Sequence, residues 1–324
     1  MSDLLQKLII ALNDGSSYAL IALGYTMVYG VLRLINFAHG DIFMVGAFVG
    51  AYVARWLNPP VPGMTSPEQS VGQALFGVLI AMAVCGTLGF LIERVAYRPL
   101  RKSPKLAALI TAIGISLLLE YLAQIKWTVG GSSFFGPTPE RYQPIAGSGV
   151  SIPFFQRALG ISVVPKDLIV LCTTAVTLVG LWFIVQHTRI GKAMRAVSQN
   201  YDAARLMGIN IDRVISFTFI LGSVLAAIGG CLWGLNRNQC TPLMGLIPGL
   251  KAFVAAVIGG IGNIPGAAVG GLILGLLETY TASIQYHQAA VLYPYKDAIC
   301  FLILIAVLLI RPEGIFGKAV PEKV

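Results

Sequence analysis

The sequence predicts an all-α, polytopic transmembrane bundle of about eight to ten spanning or broken helices, and three observations carry that prediction. Of 324 residues, 56% are hydrophobic and only 11% charged, whereas charged residues make up roughly a quarter of a soluble domain; the mean hydropathy is +0.78. The apolar runs are continuous rather than alternating, which is the pattern of helices and not of a membrane barrel. Several of them reach the roughly 20 residues that a bilayer crossing requires.

Taken in order, the first apolar region, Leu4 to Leu32, is interrupted by Asn13-Asp14-Gly15-Ser16-Ser17, which predicts a break. Ile42 to Leu57 follows a second polar break, Asn36 to Asp41. Gly72 to Ile92, Leu106 to Ile125, Leu168 to Gln186 and Val214 to Leu235 meet or approach spanning length without interruption. Pro248 to Leu277 is divided by the run Gly259-Gly260-Ile261-Gly262-Asn263-Ile264-Pro265-Gly266, and Ala298 to Ile310, extended back to Tyr293, closes the bundle. Residues 1–324 read as one membrane domain.

Basic residues near helix ends are retained on the cytoplasmic side. Arg94, Arg98, Arg101, Lys102 and Lys105 crowd one connection, Arg189, Lys192, Arg195, Arg205 and Arg213 another, and Arg311, Lys318 and Lys323 mark the tail. These three segments are expected inside. The Pro-rich connection Asn58 to Ser70 has no Lys or Arg, and Lys126 to Lys166 is long and rich in Gly and Pro, so both are expected outside. Parity then requires an even number of crossings between residue 213 and the tail, which holds if Pro248 to Leu277 forms two shorter segments. Either side remains open for Met1.

The net charge of +9 sits at helix ends with no soluble module to hold a nucleic acid, so it reads as topogenic charge in contact with the lipid bilayer. Cys85, Cys172, Cys231 and Cys300 lie in apolar runs and Cys240 in a short connection, without metal-ligand spacing; they read as small buried hydrophobes. No phosphate loop of the form G-x-x-x-x-G-K-[ST] and no metal cluster is present, so no cofactor or metal is expected and any energy source is another polypeptide or an ion gradient. Leu4 to Leu12 is not followed by a small-residue cleavage site and is read as part of the membrane domain.

One polar, basic cassette, Arg189 to Asp212, stands between two apolar runs. Asn200 is a good N-cap with Asp202 in the first turn, and Gly208 is a good stop, which predicts a short helix over Tyr201 to Met207. Ala203, Leu206 and Met207 then share a face and Arg205 points elsewhere. So short a helix is unstable alone and needs its own domain on one side and a partner on the other. The alternative is an amphipathic connector lying on the lipid surface.

The segment Asp202-Ala203-Ala204-x-x-x-Gly208 is similar to the E-A-A-x-x-x-G loop of ABC importer permeases, with Asp for Glu and without the I-x-L-P continuation. More widely, Tyr18 to Val31, Leu34 to Gly46, Gly191 to Asn210, Ile258 to Gly271 and the closing Arg311-Pro312-x-Gly314-x-Phe316-Gly317 resemble the LivH-type permeases of branched-chain amino acid ABC transporters nearly end to end. The resemblance implies a second, related permease subunit, two cytoplasmic ABC ATPases and a periplasmic substrate-binding protein as partners. It also implies that Arg189 to Gly208 couples to the ATPases, with Ala203, Ala204, Leu206, Met207 and Gly208 as docking residues.

Irregular backbone at membrane depth is tolerated where it is buried or lines a cavity. Both breaks qualify, which makes Asn36, Phe37, His39, Gly40, Gly260 and Asn263 candidates for the translocation pathway. Each break precedes small-x-x-x-small helices (Gly46 with Gly50, Gly266 with Gly270, Gly271 with Gly275), a hint of internal repetition. The plainer readings are close helix packing for the glycines and helix capping for Asn36 and Asn263. His39 beside Asp41 suits either a proton relay or a hydrogen-bonded pair, and Asp14, Glu120, Glu278 and Asp297 are expected at helix ends or facing the bundle interior. No residue reads as catalytic.

The long outer connection, 126–166, is expected to form a small cap and, with Asn58 to Ser70, a landing surface for a substrate-delivery protein. The reading is thus an ABC importer permease of the bacterial inner membrane that moves a hydrophobic amino acid inward. Permeases for urea or short-chain amides share a similar pattern. A secondary carrier driven by an ion gradient explains the helices but leaves the cassette idle.

Overall fold

A computed structural model describes residues 2–34, 36–59, 67–129, 132–284, 293–311 and 314–317. In chain order its elements are α1 (Ser2–Leu32), α2 (His39–Leu57), α3 (Val71–Ile92), α4 (Lys105–Gln124), β1 (Trp127–Val129), β2 (Ser132–Phe134), β3 (Glu140–Arg141), α5 (Pro153–Leu159), α6 (Pro165–His187), α7 (Arg189–Gln199), α8 (Tyr201–Leu206), α9 (Ile211–Arg237), β4 (Gln239–Cys240), α10 (Leu246–Gly259), α11 (Ile264–Ala282) and α12 (Lys296–Ile310). Among the described residues, seven helices are long and apolar enough to cross a membrane, namely α1, α2, α3, α4, α6, α9 and α11. α10 and α12 have 14 and 15 residues, about 21 and 22 Å of helix, short of a full crossing. The chain is a multi-pass, all-α membrane protein, and nine apolar helices among the described residues lie within the range the sequence predicts.

The uninterrupted spans fall within a few residues of their predicted bounds, but the predicted break at Asn13 to Ser17 does not occur. α1 is one helix of 31 residues, roughly 46 Å long. Within its polar run, Asp14 pairs with Arg237 at 3.3 Å and accepts from Asn236 Nδ2 at 3.3 Å. Gly15 meets the backbone of α11, where a Cβ would lie 2.9 Å from Leu272 Cα. The polar run lies inside a continuous helix and marks buried packing positions rather than an end.

The connections sort onto two faces. On one, Arg98 and Arg101 pair with Asp212 at the start of α9 at 2.7 and 2.5 Å, Arg33 donates to Ser198 O at 3.3 Å, and the segment 314–317 is pinned to the end of α10 by Ile315 N–H on Ile258 O at 2.8 Å. α7 and α8 lie there too. This basic face gathers the three segments rich in Lys and Arg, save Lys318 and Lys323, which lie outside the described residues. On the opposite face the N-terminal end of α1 meets the 126–166 connection through Gln6 and Ser162, which answers the question left open for the N-terminal end. α9 leaves the basic face, α10 returns to it, α11 leaves and α12 comes back, the even count that the split requires.

The opposite face carries a small cap. β1 and β2 form an antiparallel hairpin, β3 pairs antiparallel with β4, and Arg55 pairs with Glu140 at 2.7 Å. Gln69 ties the described end of the 58–70 connection to the same cap, donating to Pro144 O and accepting from Ala146, each at 2.9 Å; residues 60–66 lie outside the described residues. Tyr142 is buried against Gly50 and Gly234, anchoring the cap between α2 and α9.

Small residues set the interior. A Cβ at Gly271 would lie 2.4 Å from Ala19 Cα and one at Gly275 2.4 Å from Gly15 Cα, so α11 and α1 touch backbone to backbone. Gly46 meets Ala227 and Gly230 meets the Phe43 backbone in the same way between α2 and α9. Each helix that follows a polar break therefore packs on a long helix of the other half. α1, α9 and α2 are the most buried spans; α4 and α6 lie at the periphery with broad apolar exposure. Of the cysteines, Cys85, Cys231, Cys240 and Cys300 are buried, but Cys172 is exposed on α6, because that helix turns most of its apolar surface outward.

Candidate functional site

On the basic face the chain turns sharply from α6 into α7. Thr188 caps α7 by accepting from Gly191 N–H at 3.1 Å. A side chain at residue 191 would collide with the turn, since a Cβ there would lie 2.3 Å from Ile184 O and Val185 O. Met194 and Val197 bury one face of α7, and Arg195 donates to Val185 O. Asn200 Oδ1 then caps α8, accepting from Asp202 and Ala203 N–H at 2.9 and 3.0 Å. At the other end Gly208 takes φ +79°, with Gly208 N–H on Arg205 O at 3.0 Å and Ile209 N–H on Ala204 O at 3.1 Å. This is a Schellman closure, in which the left-handed residue favours Gly.

Those two caps hold an isolated turn and a half of helix whose apolar residues point away from the bundle. Leu206 is 88% and Met207 82% exposed, and Ala203 and Gly208 are exposed beside them. Ala204 faces the other way and is buried at 3%. α8 is tied to α1 by the Tyr201 hydroxyl, which donates to Val31 O at 2.5 Å. Burial raises the Tyr201 hydroxyl above its ordinary pKa, which keeps it a donor.

The first break lies deep. Asn36 is buried and accepts from the Tyr97 hydroxyl at 2.9 Å; it makes no side-chain cap to α2. Phe37 is half-buried, its ring 6.3 Å from that of Phe253, which stands 6.0 Å from Tyr25. His39 is buried with its ring 4.8 Å from Tyr25 and its Nε2 against Gly24. Gly40 meets the start of α10, where a Cβ would lie 2.4 Å from Gly245 O. Asp41, also buried, accepts from Ser116 Oγ of α4 at 2.5 Å. His39 thus turns to α1 and Asp41 to α4, so the two form no relay with each other.

Gly260 and Asn263 sit elsewhere, at the turn between α10 and α11 on the basic face. Gly260 has φ +98° and abuts the Gly317 backbone. Asn263 caps α11 through Gly266 N–H at 3.1 Å and donates to Phe316 O at 2.9 Å. The structure brings Asn36, Phe37, His39 and Gly40 together and places Gly260 and Asn263 against the C-terminal segment, in a packing and capping setting.

A third feature opens on the opposite face, above the start of α10. A cavity of about 320 Å³ is lined by Tyr18, Trp233, Met244, Ile247, Lys251 and Glu278, among others. Lys251 pairs with Glu278 at 3.0 Å and Asp297 at 2.6 Å, Lys296 pairs with Glu278 at 3.0 Å, and the Tyr18 hydroxyl donates to Glu278 Oε2 at 2.6 Å. Arg237 stacks over Trp233 at 4.9 Å.

The sequence pattern of the family described as branched-chain amino acid transport system / permease component matches residues 8–308. The chain belongs to this family. The permease is 38% identical over 320 residues to the high-affinity branched-chain amino acid transport system permease protein LivH of Salmonella typhimurium, covering 99% of this chain and 97% of that one. It is 37% identical over 329 residues to the corresponding permease protein BraD of Pseudomonas aeruginosa, covering 99% and 98%. A probable branched-chain amino acid transport permease protein LivH of Methanocaldococcus jannaschii is 30% identical over 324 residues, covering 98% and 94%. No solved structure matches the chain.

Sequence reasoning about the permease passed over Lys251 and the charges around it. Its signal was one lysine inside an otherwise apolar helix, at a distance from every basic cluster. A lone cation there requires a buried anion, and Glu278, one of the acids expected to face the interior, supplies it.

Proposed function

We propose that this chain is the transmembrane permease subunit of an ABC importer of the bacterial inner membrane and moves branched-chain, hydrophobic amino acids inward. The observation that carries the reading is α8, a capped helix too short to stand alone, exposing Leu206 and Met207 on the basic face. Two cytoplasmic ATPases sit beneath the permease pair, and one of them docks on this surface, contacting Ala203, Leu206, Met207 and Gly208. Ala204 keeps the helix seated on the bundle. The permease itself makes and breaks no bonds; hydrolysis of ATP belongs to the partners.

The force path follows the hydrogen bonds. Motion of α8 reaches the end of α1 through Tyr201 on Val31 O and Arg33 on Ser198 O, and α1 leads into the buried segment that carries Asn36, Phe37, His39 and Gly40. There the rings of Tyr25, Phe37 and Phe253 make an apolar constriction that opens and closes as α1, α2 and α10 shift. A second, related permease completes the pathway, and a periplasmic binding protein delivers its cargo to the cap formed by β1 to β4, α5 and the described end of the 58–70 connection.

Pull-down of tagged, detergent-solubilised protein expressed from its native locus tests the reading, with mass spectrometry of all that is retained. Two ATPases and a second permease are expected. Recovery of this chain alone, with uptake abolished by an uncoupler and insensitive to ATP depletion, would overturn it in favour of a gradient-driven carrier.

A further inference from the structure

The cavity above α10 combines features that no packing role requires. Lys251 and Glu278 are only 3% and 5% exposed, yet both belong to apolar helices. Burying an ion pair costs more in desolvation than its attraction returns unless the geometry is excellent, and apolar packing of equal volume serves stability as well. Ionisable groups at membrane depth are therefore functional by default. We propose that this cavity receives the transported solute and recognises it as a free α-amino acid, a small zwitterion with an apolar side chain; the proposal rests on the importer reading above and assigns it a binding site.

Charge balance carries the first step. In the lining Arg237, Lys251 and Lys296 face Glu278 and Asp297, and Asp14 stands behind Arg237. The site is close to neutral, so a net anion or cation arrives without its counter-charge, whereas a zwitterion brings one charge of each sign and exchanges partners with the wall. Its carboxylate takes Lys251 and its ammonium takes Glu278, the two ends of one 3.0 Å pair. When the solute leaves, Lys251 and Glu278 close on each other again, and no buried charge is stranded. Binding is thereby weak enough to release, as conduction through a membrane requires.

Shape carries the second. Trp233, Met244, Ile247 and Pro248 give the same cavity an apolar wall beside the ion pair, and about 320 Å³ lies at the small end of the roughly 300–1,000 Å³ of ligand pockets. An uncharged urea or amide has no charges to exchange with the ion pair, which stays closed on itself, and it gains little from that wall. Position carries the third. The wall residues Ile247 and Pro248 belong to the start of α10 and Met244 lies just before it, next to the glycines that meet Gly40, so the occupant touches the helix that leads toward Phe253 and the constriction.

The test uses membrane vesicles that hold the assembled transporter and photo-leucine, a diazirine analogue of leucine. They are illuminated with and without excess L-leucine, and labelled peptides are mapped by mass spectrometry. Label protected by L-leucine is expected between Trp233 and Lys251. It should fall at least tenfold in the paired variant Lys251→Met with Glu278→Gln, in which both members of the buried pair are uncharged. Ile247→Trp, a substitution at a partly exposed position that spares the fold, should cut labelling and uptake to a similar degree by filling the cavity. Leucine amide, lacking the carboxylate, and 4-methylpentanoate, lacking the ammonium, should fail to protect. Protected label at Tyr25, Phe37 or Phe253 in place of the cavity overturns the site while leaving the importer reading standing. Protection by either analogue overturns recognition of the zwitterion, and unchanged labelling of Ile247→Trp overturns the cavity as the site. Vesicles that take up no photo-leucine overturn both the importer reading and the site.

Discussion

Replacing Leu206 by Asp separates docking from folding. With 88% of Leu206 exposed, nearly all of its burial remains to be gained from a partner. Full burial of a leucine side chain stabilises by about 2 kcal/mol, which is roughly a 30-fold change in dissociation constant. A carboxylate in the same contact adds an unpaired buried charge, so Leu206→Asp weakens ATPase docking by at least that factor. The fold should be unaffected to within about 0.5 kcal/mol, since so exposed a side chain makes little contact with its own bundle. Leu206→Ala removes burial without adding charge near the C-terminal end of α8 and isolates the apolar part. The assay is co-purification of the ATPases from solubilised membranes beside leucine uptake in cells, with membrane-fraction blots to verify insertion. Both readouts should fall while the blot is unchanged. Normal uptake by a correctly inserted Leu206→Asp protein would refute the docking assignment.

Gly208→Pro cannot adopt φ +79° and removes the N–H that closes α8 on Arg205 O; it should leave insertion intact and uncouple ATP hydrolysis from uptake, measured on reconstituted complex. Arg101→Ala strands Glu93, which is fully buried and, among the described residues, is left with the Ser216 hydroxyl at 2.6 Å. The loss should be about 3 kcal/mol, seen as a lower melting temperature in detergent and largely restored by adding Glu93→Gln. Gly275→Leu drives a side chain into the Gly15 and Ala11 backbone and should prevent accumulation in the membrane, whereas Gly180→Leu, with nothing within 4 Å of its Cβ, should accumulate normally.

Signals that act locally were legible from the residues. Continuous apolar runs located the spans because a helix in lipid satisfies its own backbone, and Asn200 and Gly208 marked α8 because capping needs only neighbours in sequence. The split of Pro248 to Leu277 also followed, from charge and parity together. What escaped were features that depend on a distant partner. Asn13 to Ser17 reads as a break until Arg237 and Asn236, more than two hundred residues on, stand beside Asp14. Ala204 reads as part of an exposed motif until α8 is seated on the bundle and turns it inward. Asn263 and Gly260 read as pore elements from their composition, yet the partners of their break are Phe316 and Gly317 from the far end of the chain. Lys251 reads only as a lone lysine in an apolar run until Glu278 of α11 stands beside it.

The placement of these features along α1 explains why one helix runs unbroken through the bundle. Tyr18 meets Glu278 at the cavity, Gly24 receives the His39 ring, and Val31 O receives the Tyr201 hydroxyl from α8. From Tyr18 to Val31 is roughly 20 Å of helix, so the cavity, the buried break and α8 are joined by a single rod. A break at Asn13 to Ser17 would not interrupt this path, but a kink anywhere between Tyr18 and Val31 would let α8 move without the cavity feeling it. α1 meets α11 through Gly271 and Gly275 with no side chains interlocking at those points. At the two ends of this rod the polar ties to its neighbours are the Tyr18 hydroxyl on Glu278 and the Tyr201 hydroxyl on Val31 O.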